Sequence, residues 1–156
     1  MAVVTIERPG VERGLEAAAR KVRPVMLLTL NVPFDLTATT FALDTAAETG
    51  AELYVCDGVP INTSNPAAGV SRSFGTPETQ ADSRAIALDA ASRGIKVTEF
   101  VFHHPRPVTA ALAVTREERV GLLVFGPDRR RLGRWFFRRA NRRLQREAPC
   151  LVWTSD

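Results

Sequence analysis

The densest chemistry in this chain lies between residues 120 and 146. An apolar run, Val120-Gly-Leu-Leu-Val-Phe-Gly126, leads into a segment, 129–146, that carries nine arginines and no acid. A buried strand that ends in Gly and turns into a helix is where α/β proteins seat phosphate groups, because the helix start aims free N–H groups at the anion. The turn here reads Gly126-Pro-Asp-Arg-Arg-Arg-Leu-Gly133, so Gly126, Arg129, Arg130 and Arg131 are candidate anion ligands. Arginine suits phosphate because its planar fork makes two charge-assisted hydrogen bonds at once.

Laid on a helix at about 100° per residue, Leu132, Phe136, Phe137, Ala140 and Leu144 share a sector of about 140°. Arg134, Arg138, Arg142 and Arg146 fall opposite, with Arg139 and Arg143 toward an edge. Like charges one turn apart oppose helix formation, and Arg129 to Arg131 lie at the positive end of the helix dipole. That placement calls for an anion at this end, or for acids supplied by another part of the fold. Arg134, Arg138, Arg142 and Trp135 are candidate partner-facing residues. The arginines would contact phosphates of nucleic acid or another anionic partner, and Trp135 could stack on a base.

Other reactive types are sparse. His103-His104 follows a strand-like run, but adjacent histidines are poor joint ligands for one metal, and no metal set is expected. Cys56 and Asp57 end another strand-like run and read as packing and loop-capping residues. Ser71 and Ser73 have no recognisable base partner, and the chain lacks Gly-x-Ser-x-Gly, His-Glu-x-x-His and Cys-x-x-Cys patterns. No catalytic residue is assigned, and a binding protein rather than an enzyme is expected.

The charge is local. Net charge is +4 from 21 basic and 17 acidic residues, but outside 129–146 the remaining twelve basic residues leave a net −5. A basic patch on a mildly acidic body points to an anionic partner. The 156 residues fit one domain with a real core, and 45% hydrophobic content is ordinary for a globular chain. No apolar run approaches the ~20 residues of a membrane span. The start lacks a basic leader, and the two cysteines read as buried free thiols, so a cytoplasmic location is expected.

The elements that must position these residues follow from periodicity. Residues 1–23 read as an added arm with a short helix from Glu12 to Val22, and 24–156 as the domain. Val25–Leu30 is a continuous apolar strand, covered on both faces. Asp35 caps a helix that Gly50 stops, and Ala51–Cys56 is the second strand. Residues 57–76 read as a long polar loop. Thr76-Pro77-Glu78 starts a second helix that ends at Gly94, and Ile95–Phe102 is the third strand. A helix from Pro107, a strand to Phe125, the arginine helix and a strand at Pro149–Trp153 complete the chain. Alternation of strands and helices predicts an α/β, doubly wound, five-stranded parallel sheet.

Over roughly residues 24–154 the chain resembles the universal stress protein family. Met26-Leu-Leu-Thr-Leu-Asn31 sits where that family has its first strand ending in Asp. Gly50-Ala-Glu-Leu-Tyr-Val matches its entry to strand two, and Leu122-Leu-Val-Phe-Gly126 the strand ending in the first phosphate-loop Gly. Arg146-Glu-Ala-Pro-Cys150 matches the approach to the final strand. The resemblance implies an adenine nucleotide alpha hydrolase-like fold with strand order 3-2-1-4-5. It also implies a homodimer through the C-terminal edge strand, with Trp153 an interface residue, and a stress-response regulatory role. Its ligands would be ATP, AMP or a cyclic nucleotide. Nucleotide-binding members carry Gly-x2-Gly-x9-Gly-Ser/Thr after strand four. Here Arg129 takes the second Gly position, Arg138-Arg139-Ala140 the later pair, and Asn31 the place of the Asp. Glycines let backbone N–H groups approach phosphate oxygens, which bulky arginines do not permit in the same way. Conventional ATP binding is therefore not expected. The remaining readings are an anion site rebuilt from arginine side chains, an electrostatic interaction module, or weak nucleotide hydrolysis.

Overall fold

The computed structural model describes residues 22–61 and 76–155. The expected arm, apart from Val22 and Arg23, and both Ser71 and Ser73 lie outside the described residues. Strand β1, Val25–Thr29, is buried at all five positions, as an apolar run without alternation must be when helices cover both faces. The Asp35 carboxylate accepts a hydrogen bond from Ala38 N at 2.9 Å and opens α1, Leu36–Thr49. Gly50 closes α1 with φ 69°, donating its N–H to Ala46. Strand β2 is Leu53–Pro60. Helix α2, Pro77–Ser92, starts on Thr76, whose hydroxyl accepts from Thr79 N at 3.2 Å. Then follow β3, Val97–His104, and α3, Pro107–Glu117. Strand β4, Leu122–Phe125, leads through the one-turn helix α4, Arg129–Leu132, into α5, Arg134–Glu147, and β5, Leu151–Thr154.

The five strands form one sheet in the order β3-β2-β1-β4-β5, every pair parallel. Alternate strand residues point to opposite faces, and two separate cores result. Leu27, Val55 and Val124 pack with Ala38, Ala42, Ile86 and Ala90 of α1 and α2. Met26, Tyr54, Leu123 and Phe125 pack with Leu112, Phe137 and Leu144 of α3 and α5. The sheet is thus doubly wound, with its switch point between β1 and β4.

Four local expectations are corrected. Strand β2 does not stop at Cys56: Asp57–Pro60 pair in register with Val101–His104. Asp, Gly and Pro read as turn residues in isolation, but the neighbouring strand supplies partners that override their local preference. For the same reason His103 and His104 lie within β3 instead of after it. Cys150 precedes β5. Finally, the arginine segment is two helices. Gly133 has φ 80° and ψ 142°, a conformation essentially reserved for glycine, and it ends α4 after one turn. The buried side of α5 is then only Phe137, Ala140 and Leu144, while Phe136, expected in the apolar stripe, is 62% exposed.

Candidate functional site: a cleft at the carboxyl ends of the strands

The turns after β1 and β4 are fastened together. Asp35 N donates to Gly126 O at 2.8 Å, Asp128 N donates to Pro33 O at 2.8 Å, and Phe34 and Pro127 form an isolated antiparallel bridge. Helix α2 adds a second tie, since Asp82 Oδ2 accepts from Phe34 N at 2.7 Å. Gly126 is buried in this seam. Its N–H donates to Leu28 O, and an added Cβ would stand 2.5 Å from Ala38 Cβ. Glycine at 126 therefore answers to packing against α1, and its N–H already has a partner.

The three arginines of α4 each hold protein groups. The guanidinium of Arg129 lies 4.4 Å from the centre of the Phe137 ring and donates to Ser155 O at 3.3 Å. Arg130 faces Asp128 at 3.6 Å, and Arg131 pairs with Glu78 at the start of α2. The N-terminal seat of α4 is occupied by the Asp128 carboxylate, which accepts from Arg130 N at 3.0 Å. A carboxylate thus stands where a phosphate would bind, and Glu78 from α2 offsets one of the three cations.

The open space lies on the other side of the seam. A cleft of about 480 Å³ runs between the turn after β1 (Leu30 to Val32), the end of β2 at Gly58 and Pro60, and the start of α3 at Pro107 and Val108. Its far wall is Leu132, Phe136 and Ala140, with Arg139 and Arg143 also lining it. Volume and apolar lining suit a small organic ligand. Asn31 sits on the cleft with φ 57°, a left-handed conformation that asparagine tolerates better than most residues. Its N–H donates to Asp57 Oδ1 at 2.7 Å, while its own Oδ1 is buried without a hydrogen-bond partner. An acceptor closed to solvent in this way is a cost to the fold and not a contact open to a ligand.

Asp57 is itself buried. Burial pushes its carboxyl up to about 6, against the opposing pull of the Asn31 N–H and the charge of His103. His104 Nδ1 accepts from Arg106 N at 2.9 Å and shapes the turn into α3. Burial also holds the Cys56 thiol protonated well above its ordinary range. Among the described residues no group of three or more His, Cys, Asp or Glu is placed to hold a metal ion. None of the described helices is long and apolar enough to cross a membrane.

The structure therefore separates the sequence candidates. Asn31 reaches the cleft. Gly126 and Arg129 to Arg131 lie in or beside the fastened seam, and Arg134, Trp135, Arg138 and Arg142 lie along the exposed side of α5. Sequence reasoning left Phe136, Arg139 and Arg143 out of the site, because a single continuous helix would have put Phe136 in the core. Gly133 was the available signal: a glycine one turn into an otherwise helical run marks a break.

Fold and cleft together define a doubly wound α/β domain with an open cleft at the carboxyl ends of its strands. The family comparison makes this specific: residues 11–155 match the model of the universal stress protein family. The chain belongs to that family, and the sheet order is that of its adenine nucleotide alpha hydrolase-like fold. Solved relatives are distant in sequence. A universal stress protein in complex with cAMP is 20% identical, with TM-score 0.56, covering 86% of this chain and 97% of its own. One from Archaeoglobus fulgidus in complex with dAMP is 16% identical, with TM-score 0.62 and coverages of 85% and 96%. A family member from Arabidopsis thaliana with AMP bound is 14% identical, with TM-score 0.54 and coverages of 84% and 90%. No curated protein matches the sequence.

Proposed function

We propose that this protein is a non-catalytic, stress-related regulatory module that binds a nucleoside monophosphate, AMP or a cyclic nucleotide, in the cleft beside Asn31. The observation that carries the reading is the division of the switch point. The phosphate seat after β4 holds the Asp128 carboxylate, while an apolar cleft with two arginines lies beside it. A purine ring suits the walls formed by Pro60, Val108 and Phe136. Arg139 and Arg143 supply positive charge for one phosphate. The complexes of relatives with cAMP, dAMP and AMP support a monophosphate. A triphosphate extending toward α4 would meet Asp128, so ATP is expected to bind more weakly than AMP.

Strand β5 is an outer strand of the sheet with Leu151 77% exposed, and we take this edge as the homodimer contact. Trp153 stacks on Phe41 at 4.2 Å, so its ring serves the fold of its own chain as well. Calorimetry with AMP, cAMP and ATP tests the ligand reading. Saturable heat for a monophosphate, with ATP weaker, is expected; no heat for any of the three would remove it.

A further inference from the structure

Six of the nine arginines belong to α5, and the geometry points to a binding surface for single-stranded nucleic acid along its outer face. The surface adjoins the cleft and shares Arg139 and Arg143 with it, but Trp135, Arg138, Arg142 and Arg146 lie outside the cleft lining. A groove of about 630 Å³ is lined by Trp135, Arg138, Arg139, Arg142, Arg143 and Arg146. Arg143 is paired with Glu147 at 2.6 Å. Among the described residues no acid pairs with Arg138, Arg142 or Arg146. These three follow one another at intervals of four residues, about 6 Å of helix rise each. That is a regular file of forked donors, and successive backbone phosphates are the partner with matching charge and repetition.

At the head of the file stands an aromatic platform. Trp135 is 61% exposed and Phe136 62% exposed, and their rings meet edge to face at 4.9 Å. The Arg139 guanidinium lies 5.2 Å from the centre of the Trp135 ring. With the guanidinium over one face of the indole and most of the side chain open to solvent, the remaining face is a stacking surface for a base, and every base has a face to offer it. This pairing of stacking platform and cationic groove fits a strand whose bases are unpaired; in a duplex the bases are already stacked on one another. It also argues against a lipid surface. The apolar stripe of α5 (Phe137, Ala140, Leu144) is buried on the sheet, which leaves only Trp135 and Phe136 at one end of the helix, too short an apolar face to lie along a bilayer.

The test is fluorescence anisotropy of a labelled oligothymidylate with the full-length protein, across a salt series and with saturating AMP present. Binding that persists in AMP, at most a fewfold weaker, is expected, because Trp135, Arg138, Arg142 and Arg146 lie outside the cleft and only Arg139 and Arg143 are shared with it. Its affinity should fall steeply between about 50 and 200 mM salt. The triple variant R138A/R142A/R146A should lower the slope of log affinity against log salt by about 2, while Trp135→Ala should weaken binding by roughly tenfold at fixed salt. Trp135→Phe should recover much of that loss. Both sets of side chains are exposed, and circular dichroism confirms that the variants fold. Absence of binding at low salt, an unchanged slope in the triple variant, or equal competition by polyglutamate would each overturn the assignment. Equal competition by polyglutamate would reassign the surface to an acidic protein partner. Loss of oligonucleotide binding on adding AMP would also overturn it, by moving the contact into the cleft.

Discussion

The backbone N–H of Asn31 donates to the buried carboxylate of Asp57 at 2.7 Å, tying the turn after β1 to the end of β2. The bond fixes a left-handed residue at the rim of the cleft, and it does so with a group that water would rather keep. Burial lifts the Asp57 carboxyl to about 6, so the folded chain holds a proton there that the unfolded chain, titrating near 4, has already released. Between those two values the native state binds more protons, and stability must fall as pH rises through the window.

The first prediction follows from that sign. At neutral pH the charged Asp57 costs the fold roughly 2–3 kcal/mol relative to pH 4. Asp57→Asn keeps an oxygen for the Asn31 N–H and removes the titration. Urea denaturation should show the variant gaining on the parent as pH is raised from about 4.5 to 7.5. An equal stability difference at both pH values would show that the carboxyl titrates normally.

Gly126→Ala separates packing from ligand chemistry. A Cβ there would stand 2.5 Å from that of Ala38, and the overpacking should lower unfolding free energy by about 1–3 kcal/mol. AMP affinity, measured below the variant's unfolding transition, should change little. A large loss of AMP binding with stability intact would return Gly126 to the ligand site.

Asp128→Asn tests the occupied phosphate seat. The carboxamide can still accept from Arg130 N and cap α4, so stability should change by less than about 1 kcal/mol. Removing the negative charge should raise ATP affinity several-fold while leaving AMP nearly unchanged. Parallel titrations with the two ligands give the ratio, and an unchanged ratio would place the phosphates elsewhere.

Phe136→Ala and Arg139→Ala address the cleft wall. Phe136 is largely solvent-exposed, so its loss should hardly move the melting temperature. Yet each variant should weaken AMP binding about tenfold, a stacking contact and a charge-assisted hydrogen bond each being worth roughly 1–2 kcal/mol. Calorimetry on both variants checks this, and parent-like affinity would place the ligand away from α5.

Most of the fold was legible because its signals are local and repeated. The buried run of β1, the Asp35 and Thr76 caps and the Gly50 stop each declare themselves within a few residues, and parallel order follows from their alternation. The end of β2 was not legible, since Asp57 to Pro60 become a strand only when Val101 to His104 lie alongside. The site was read in part for a related reason. Arg131 on Glu78 and Arg129 on Ser155 O join residues 53 and 26 positions apart, and no spacing rule reports such partners. Asn31 was identified because it stands where the universal stress protein family ends its first strand in Asp; Phe136 was missed because Gly133 had been counted as a helical residue.

That glycine has an evolutionary reach beyond its own turn. By breaking the helix it divides one basic tract into two sets held by different contacts, for which different patterns of change among homologues are expected. The residues of α4 are each matched to a particular neighbour, so they should drift only in concert with Glu78, Asp128 or Phe137. The outward residues of α5 answer to a sum of charge, and among homologues they should exchange with lysine and change place freely so long as the file persists. One bend in the backbone lets the same amino acid be conserved as an identity on one side and as a quantity on the other.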